Sequence, residues 1–93
     1  MSILVRHQPR GLTKEKYDET NRHLEEAGLS WPPDGLDLHV CFGSDGNLRV
    51  SEIWDSEEQF QAFAERLFPL LKEAGVDVAA EPELFEIHEI QRR

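Results

Sequence analysis

The stretch that decides the fold is GLDLHVCFGSDGNLRVSEIWDSEEQFQAF, Gly35 to Phe63. Leu38, Val40 and Phe42 alternate with His39, Cys41 and Gly43, and beyond Ser44-Asp45-Gly46-Asn47 the same period returns in Leu48, Val50, Glu52 and Trp54. Asp-Gly between two alternating runs is the strongest short-range hairpin signal, because a type I′ turn needs two residues that tolerate positive φ. A two- or four-residue loop sets Gly43 opposite Leu48, Cys41 opposite Val50 and His39 opposite Glu52; a bulge would shift this by one.

Cross-strand partners point the same way, so this register sorts the hairpin onto two faces. One carries Leu38, Val40, Phe42 and Ile53, with Ser51 and Arg49 toward the turn, and suits packing under helices. The other carries His39, Cys41, Val50, Glu52 and Trp54. A strand facing water rarely spends Cys, Val and Trp on it, so this second face is expected to be covered too.

Working outward, Ser56 and Gln59 form a capping-box pattern with Glu57 and Glu58 in the first turn. Phe60, Phe63, Ala64, Leu67, Leu71 and Ala74 then recur at helical spacing up to Gly75, which makes this the dominant amphipathic helix. Pro69 falls inside it, removes one backbone hydrogen bond and crowds the carbonyl of Glu65, so a kink or break between Arg66 and Pro69 is expected. Val76 to Glu83 reads as a connector, and LFEIHEI, Leu84 to Ile90, as the last strand.

Before the hairpin, Ile3 to Gln8 is a first strand, ended by Pro9 and Gly11. Thr13 suits an N-cap and Tyr17, Leu24 and Ala27 mark a second, thinner helix that stops at Gly28. LSWPPD, Leu29 to Asp34, is a loop, because two consecutive prolines suit neither helix nor ladder; Trp31 would staple it onto the domain. The order is β-α-β-β-α-β. Split βαβ units with right-handed crossovers turn it into a ferredoxin-like α+β fold: a four-stranded antiparallel sheet of spatial order 4-1-3-2 with both helices on one face.

The 93 residues suffice for one domain with a modest core. Ten basic against nineteen acidic residues leave a net charge of −9, and no basic patch offsets it, so nucleic acid and anionic membranes are excluded as expected partners. The single Cys41 cannot form an intramolecular disulfide, which suits a reducing cytoplasm. Ile3-Leu4-Val5 ends at Arg6 and is too short for a signal peptide or a membrane span.

If the helices cover Ile3, Val5, Leu38, Val40, Phe42, Ile53, Phe85 and Ile87, the bare face presents Leu4, Arg6, His39, Cys41, Val50, Glu52, Trp54, Glu86 and His88. A patch of that kind is a liability in a monomer, and face-to-face pairing of two sheets would bury it. The expectation is a homodimeric barrel with an interior cavity.

Here the chain resembles the dimeric α/β-barrel superfamily, and within it the small antibiotic-biosynthesis-monooxygenase-like proteins. The resemblance is carried by PRGLTKEKYD, PPDGLDLHV, GNLRVSEIWDSEEQFQAF and PELFEIHEI, and so covers nearly the whole chain. It is strongest with short bacterial proteins of undescribed function. The resemblance implies a dimer and an interior ligand site. Members of the superfamily include cofactor-free oxygenases acting on polyketide-like aromatics, haem-degrading enzymes, chlorite-type enzymes and lactone isomerases, a variety that no fold can resolve.

His39 and Glu52 are the first candidates for chemistry, since a carboxylate beside an imidazole fixes its tautomer and makes it a general base or acid near neutral pH. The plain alternative is two polar groups satisfying each other. His88, flanked by Glu86 and Glu89 on the last strand, is the third; across a dimer it would approach His39 of the other chain. Two His with Glu52 or Glu86 are a conceivable Zn²⁺ or iron set, but no close-spaced ligand motif supports one, and no metal or cofactor is expected.

Arg6 would hold a ligand carboxylate or pair internally, Trp54 would stack on a planar ligand or pack in the core, and Cys41 and Glu86 complete the expected lining. Cys41 has no readable oxyanion site beside it, and His7 and His23 are read as structural or solvated. Three functions remain, and two of them use the cavity: a small-molecule-binding protein for a planar or carboxylated ligand, and a cofactor-independent monooxygenase in which His39 or His88 deprotonates an electron-rich aromatic. A structural or regulatory interaction module is the third.

Overall fold

The computed structural model describes residues 1–93. Six elements follow one another: β1 (Ile3–His7), α1 (Lys14–Glu26), β2 (Leu36–Ser44), β3 (Asn47–Trp54), α2 (Glu57–Glu73) and β4 (Glu83–Glu86). The sheet order β2-β3-β1-β4 is the expected 4-1-3-2 read from the other edge, and every pairing is antiparallel. This is the ferredoxin-like α+β architecture.

The hairpin has the register its sequence predicts. Ser44 pairs with Asn47 around Asp45-Gly46, and Gly43, Cys41 and His39 lie opposite Leu48, Val50 and Glu52. A bulge occurs only at the far end, where Asp37 is left unpaired between the Leu36–Trp54 and Leu38–Ile53 partners. The turn also anchors α1, because Asp45 Oδ1 accepts from the Lys14 amide at 2.8 Å.

Both helices carry the caps read from the sequence. Thr13 and Ser56 are extended N-caps whose hydroxyls accept from the Lys16 and Gln59 amides, and Gly28 and Gly75 take positive φ just past the two helix ends. α2 runs through Pro69 without the break its ring led one to expect. Phe60, Phe63 and Ala64 on the same helix are buried, and their packing offsets the lost hydrogen bond.

The face beneath the helices is the one the hairpin's polar and aromatic residues occupy. Ile3 pairs with Trp54, Val5 with Glu52 and His7 with Val50. These side chains point toward α1 and α2, where Ile3, Val5, Leu24, Trp54, Phe60, Phe63 and Ala64 form the main core. A second cluster of Leu12, Leu48, Ala74 and Val76 closes the turn end. Trp54 and Val5 have no exposed surface at all.

This corrects the expected assignment of faces. Leu38, Val40, Phe42 and Phe85, expected under the helices, lie on the open face and are 40–47% exposed; Ile53 shares that face with Leu4 and Arg6. The reason is physical. Alternation divides a strand into two sets, but only the pairing of β1 with β3, forty-odd residues apart, decides which set joins Ile3 and Val5.

The last strand is also shorter than expected. β4 ends at Glu86, and Ile87 to Arg93 lie beyond the sheet. Arg92 reaches Asp37 at 2.6 Å, which ties this tail to the start of β2.

Candidate functional site

Between the sheet and the two helices lies a cavity of about 350 Å³. Its floor is His7, His39, Val50 and Glu52 from three strands, one side is Tyr17, Thr20, Asn21 and Leu24 of α1, and the other is Phe63, Leu67, Phe68 and Leu71 of α2. Trp31 from the proline loop and the connector from Val76 to Pro82 complete it. About half of the lining residues are apolar, and His7, His39 and Glu52 meet on the floor, while Asn21, Lys72 and Asp77 are among the polar side chains elsewhere in the lining.

That place is built around one carboxylate. Glu52 is 4% exposed, yet accepts three hydrogen bonds: from His39 Nδ1 at 2.7 Å to Oε2, and from His7 Nε2 at 3.0 Å and Trp54 Nε1 at 3.2 Å to Oε1. Burial alone would push its carboxyl up, but the donors His39, His7 and Trp54, with the charge of His7, outweigh it and hold the pKa down at about 2. Glu52 is therefore an anion at every physiological pH, with all its near neighbours donating to it.

The carboxylate fixes the imidazole beyond it. Because an ionised carboxylate only accepts, His39 carries its proton on Nδ1, and in the neutral ring Nε2 is a free acceptor. Tyr17 fills that position, its hydroxyl donating to His39 Nε2 at 2.8 Å. The chain Tyr17–His39–Glu52 thus runs from the cavity wall to the buried anion. Burial raises the Tyr17 phenol above its ordinary range, with Cys41 and Glu52 nearby adding to the effect.

The expected site residues separate on this structure. His39 and Glu52 are joined as their register implied, and Cys41 lies beside them on the covered face, half-buried, its thiol pushed up by burial and by Asp18. Trp54 is a core residue whose indole N–H anchors Glu52 rather than a stacking platform in the cavity. Arg6 points to the open face, between Ser51 and Glu83, and cannot reach a ligand beneath the helices. Glu86 ends β4 opposite Ile3 and is exposed.

His88 sits at an exposed bend past the last strand, and His39 points away from the open face, so the expected meeting of His39 with a partner's His88 across that face fails. No group of three or more His, Cys, Asp or Glu side chains is placed to hold a metal ion. Two members of the site were not expected. The sequence makes His7 structural or solvated, although as the residue facing Val50 it needs only the β1–β3 register to be placed beside Glu52. Tyr17 was read as an apolar helix position; its hydroxyl reaches His39 only because α1 crosses that part of the sheet.

No protein-family model matches the sequence, and no curated protein does. Among solved structures, the fold superposes on the heme-degrading protein Rv3592 from Mycobacterium tuberculosis with a TM-score of 0.58 at 18% identity, over 99% of this chain and 100% of that one. It superposes on SnoaB, a cofactor-independent oxygenase from Streptomyces nogalater, with a TM-score of 0.60 at 17% identity, over 99% and 96%. A candidate antibiotic biosynthesis monooxygenase from Deinococcus radiodurans gives 0.57 at 16% identity, over 100% and 98%. The chain shares the fold of these three proteins. At these identities the likeness is one of fold, and this fold hosts heme degradation and cofactor-independent oxygenation alike.

Proposed function

We propose that the chain binds a small, planar, largely apolar molecule with one acidic hydroxyl or carbonyl-activated position, seated between the sheet and the helices with its polar end at His39 and Tyr17. The observation that carries this reading is the convergence of Tyr17, His39 and Glu52 at the floor of a half-apolar cavity of about 350 Å³. A planar ligand is favoured over a carboxylated one, because the charge fixed beside His39 and Tyr17 is the Glu52 anion and Arg6 lies on the other face, while the cation on the cavity wall, Lys72, stands in the last turn of α2. Titration calorimetry with planar phenols tests it. Wild-type protein should bind 2-naphthol and the His39→Phe variant should bind it at least tenfold more weakly, since a hydroxyl left without its partner loses about 1.4 kcal/mol or more.

A second reading, a cofactor-independent oxygenase, is favoured by the completeness of the Tyr17–His39–Glu52 chain. The ligand's proton passes to Tyr17 while Tyr17 passes its own to His39 Nε2, or directly to Nε2 if the ligand displaces Tyr17; Glu52 holds the resulting imidazolium. The carbanion so formed carries the electrons that reduce O₂: one oxygen atom ends on carbon and the other leaves as water. Oxygen uptake with hydroxyanthrone-like substrates, lost in His39→Ala, supports this reading, and its absence on every electron-rich aromatic overturns it.

The same reading includes a homodimer, now through the face that carries Leu38, Val40, Phe42 and Phe85. Four large apolar side chains held in one open sheet are the kind of patch that a second copy buries. Sedimentation at micromolar concentration should give the mass of two chains, and Phe42→Asp should give one; a stable single copy of the wild type overturns the dimer. The unpaired Cys41 suits the cytoplasm, and no helix is long and apolar enough to cross a membrane.

A further inference from the structure

We propose that Trp31 sets the size of the ligand: its indole is a removable wall between the cavity described above and a second chamber, and both chambers end on the same His39–Tyr17 pair. The proposal deepens the reading that the cavity holds a planar molecule, and rests on it. The second chamber has a volume of about 340 Å³ and lies between α1 and the stretch Leu29 to Trp31. Six side chains line both spaces: Tyr17, Asn21, Leu24, Trp31, His39 and Phe63.

Five of the six are fixed by the fold. Tyr17 and His39 are locked to each other and to Glu52, Leu24 and Phe63 belong to the main core, and Asn21 stands on α1. Trp31 alone sits on a loop, with 53% of its surface in solvent. It meets its neighbours by ring edges, 5.2 Å from His39 between centroids at an interplanar angle of 89°, and 6.4 Å from Phe63. A large aromatic side chain on a loop, half in water and touched by its neighbours in edge-to-face geometry, has surface left for a ligand to cover, and the adjoining cavity supplies the place.

Size decides what that something is. Ligand pockets run from about 300 to 1,000 Å³, so each chamber alone stands at the small end of the range. With Trp31 in place the ligand is confined to one chamber, which suits one or two fused rings. Without it, a longer planar molecule could pass in front of His39 into both.

Fluorescence titration with 2-naphthol, which has two fused rings, and 1-hydroxypyrene, which has four, tests the wall. The wild type should bind 2-naphthol more tightly, Trp31→Ala should shift the affinity ratio toward 1-hydroxypyrene by roughly tenfold or more, and Trp31→Phe should fall between. A ratio unchanged within about twofold, with 2-naphthol still bound, overturns the wall alone. Failure of both proteins to bind either probe overturns the wall together with the reading beneath it. Loss of the folded state in Trp31→Ala, followed by far-ultraviolet circular dichroism, also overturns it, because a removable wall must be removable.

Discussion

The two faces of this sheet are made from alternate residues of the same strands, and they solve opposite problems. The covered face places an ionised carboxylate beneath two helices and surrounds it with His39, His7 and Trp54, so that a buried charge is satisfied by three donors. The open face spends Leu38, Val40 and Phe42 on solvent, with Arg6, Arg49, Ser51 and Glu83 among its polar groups. Apolar character therefore does not mark the interior here. A core can be partly polar when its polar groups pair, and an outer face can be greasy when a second surface is meant to meet it.

The contrast can be broken first by shortening an aromatic side chain on each face. Trp54→Ala should lower unfolding free energy by about 3–5 kcal/mol, because it opens a cavity in a fully buried site and removes a donor from Glu52. Phe42→Ala on the open face should change the stability of the single chain by less than about 0.5 kcal/mol, and urea unfolding of both variants at high dilution measures the difference. Equal losses on the two faces would abolish the distinction.

Acid should act on the covered face through Glu52. The unfolded chain takes up the Glu52 proton near pH 4.5 and the folded chain only near pH 2, so folding is supported fully above about pH 4.5 and loses that support as pH falls toward 2. The loss is of order 3 kcal/mol, and in Glu52→Gln the pH dependence over that window should flatten. At neutral pH the same substitution should cost about 1–3 kcal/mol by thermal unfolding. An amide has one accepting oxygen where three donors converge, and its own N–H group would face a donor.

Much of this was legible in the sequence because it is local. Asp45-Gly46 fixes the hairpin register, and with it the pairing of His39 and Glu52; Ser56 and Gln59 start the main helix, and Gly28 and Gly75 end the two helices. What could not be read is long-range. The register of Ile3 against Trp54 decides which face the helices take, and it is set by packing between segments about fifty residues apart. The same crossing of α1 over β2 brings Tyr17 to His39, twenty-two residues away, with no spacing signal to announce it. His88 lies beyond the sheet because the alternation of LFEIHEI continues past the point where β1 ceases to offer a partner.

The proposed ligand position is the covered face, at Tyr17, His39 and Glu52. Nuclear magnetic resonance of isotope-labelled protein during a titration with 2-naphthol tests it most directly. Binding there should give saturable shifts centred on the His39 ring nitrogens and the Tyr17, Trp31 and Phe63 rings, with Leu38, Val40 and Phe42 unmoved; shifts centred on those three, and none at His39, would contradict it.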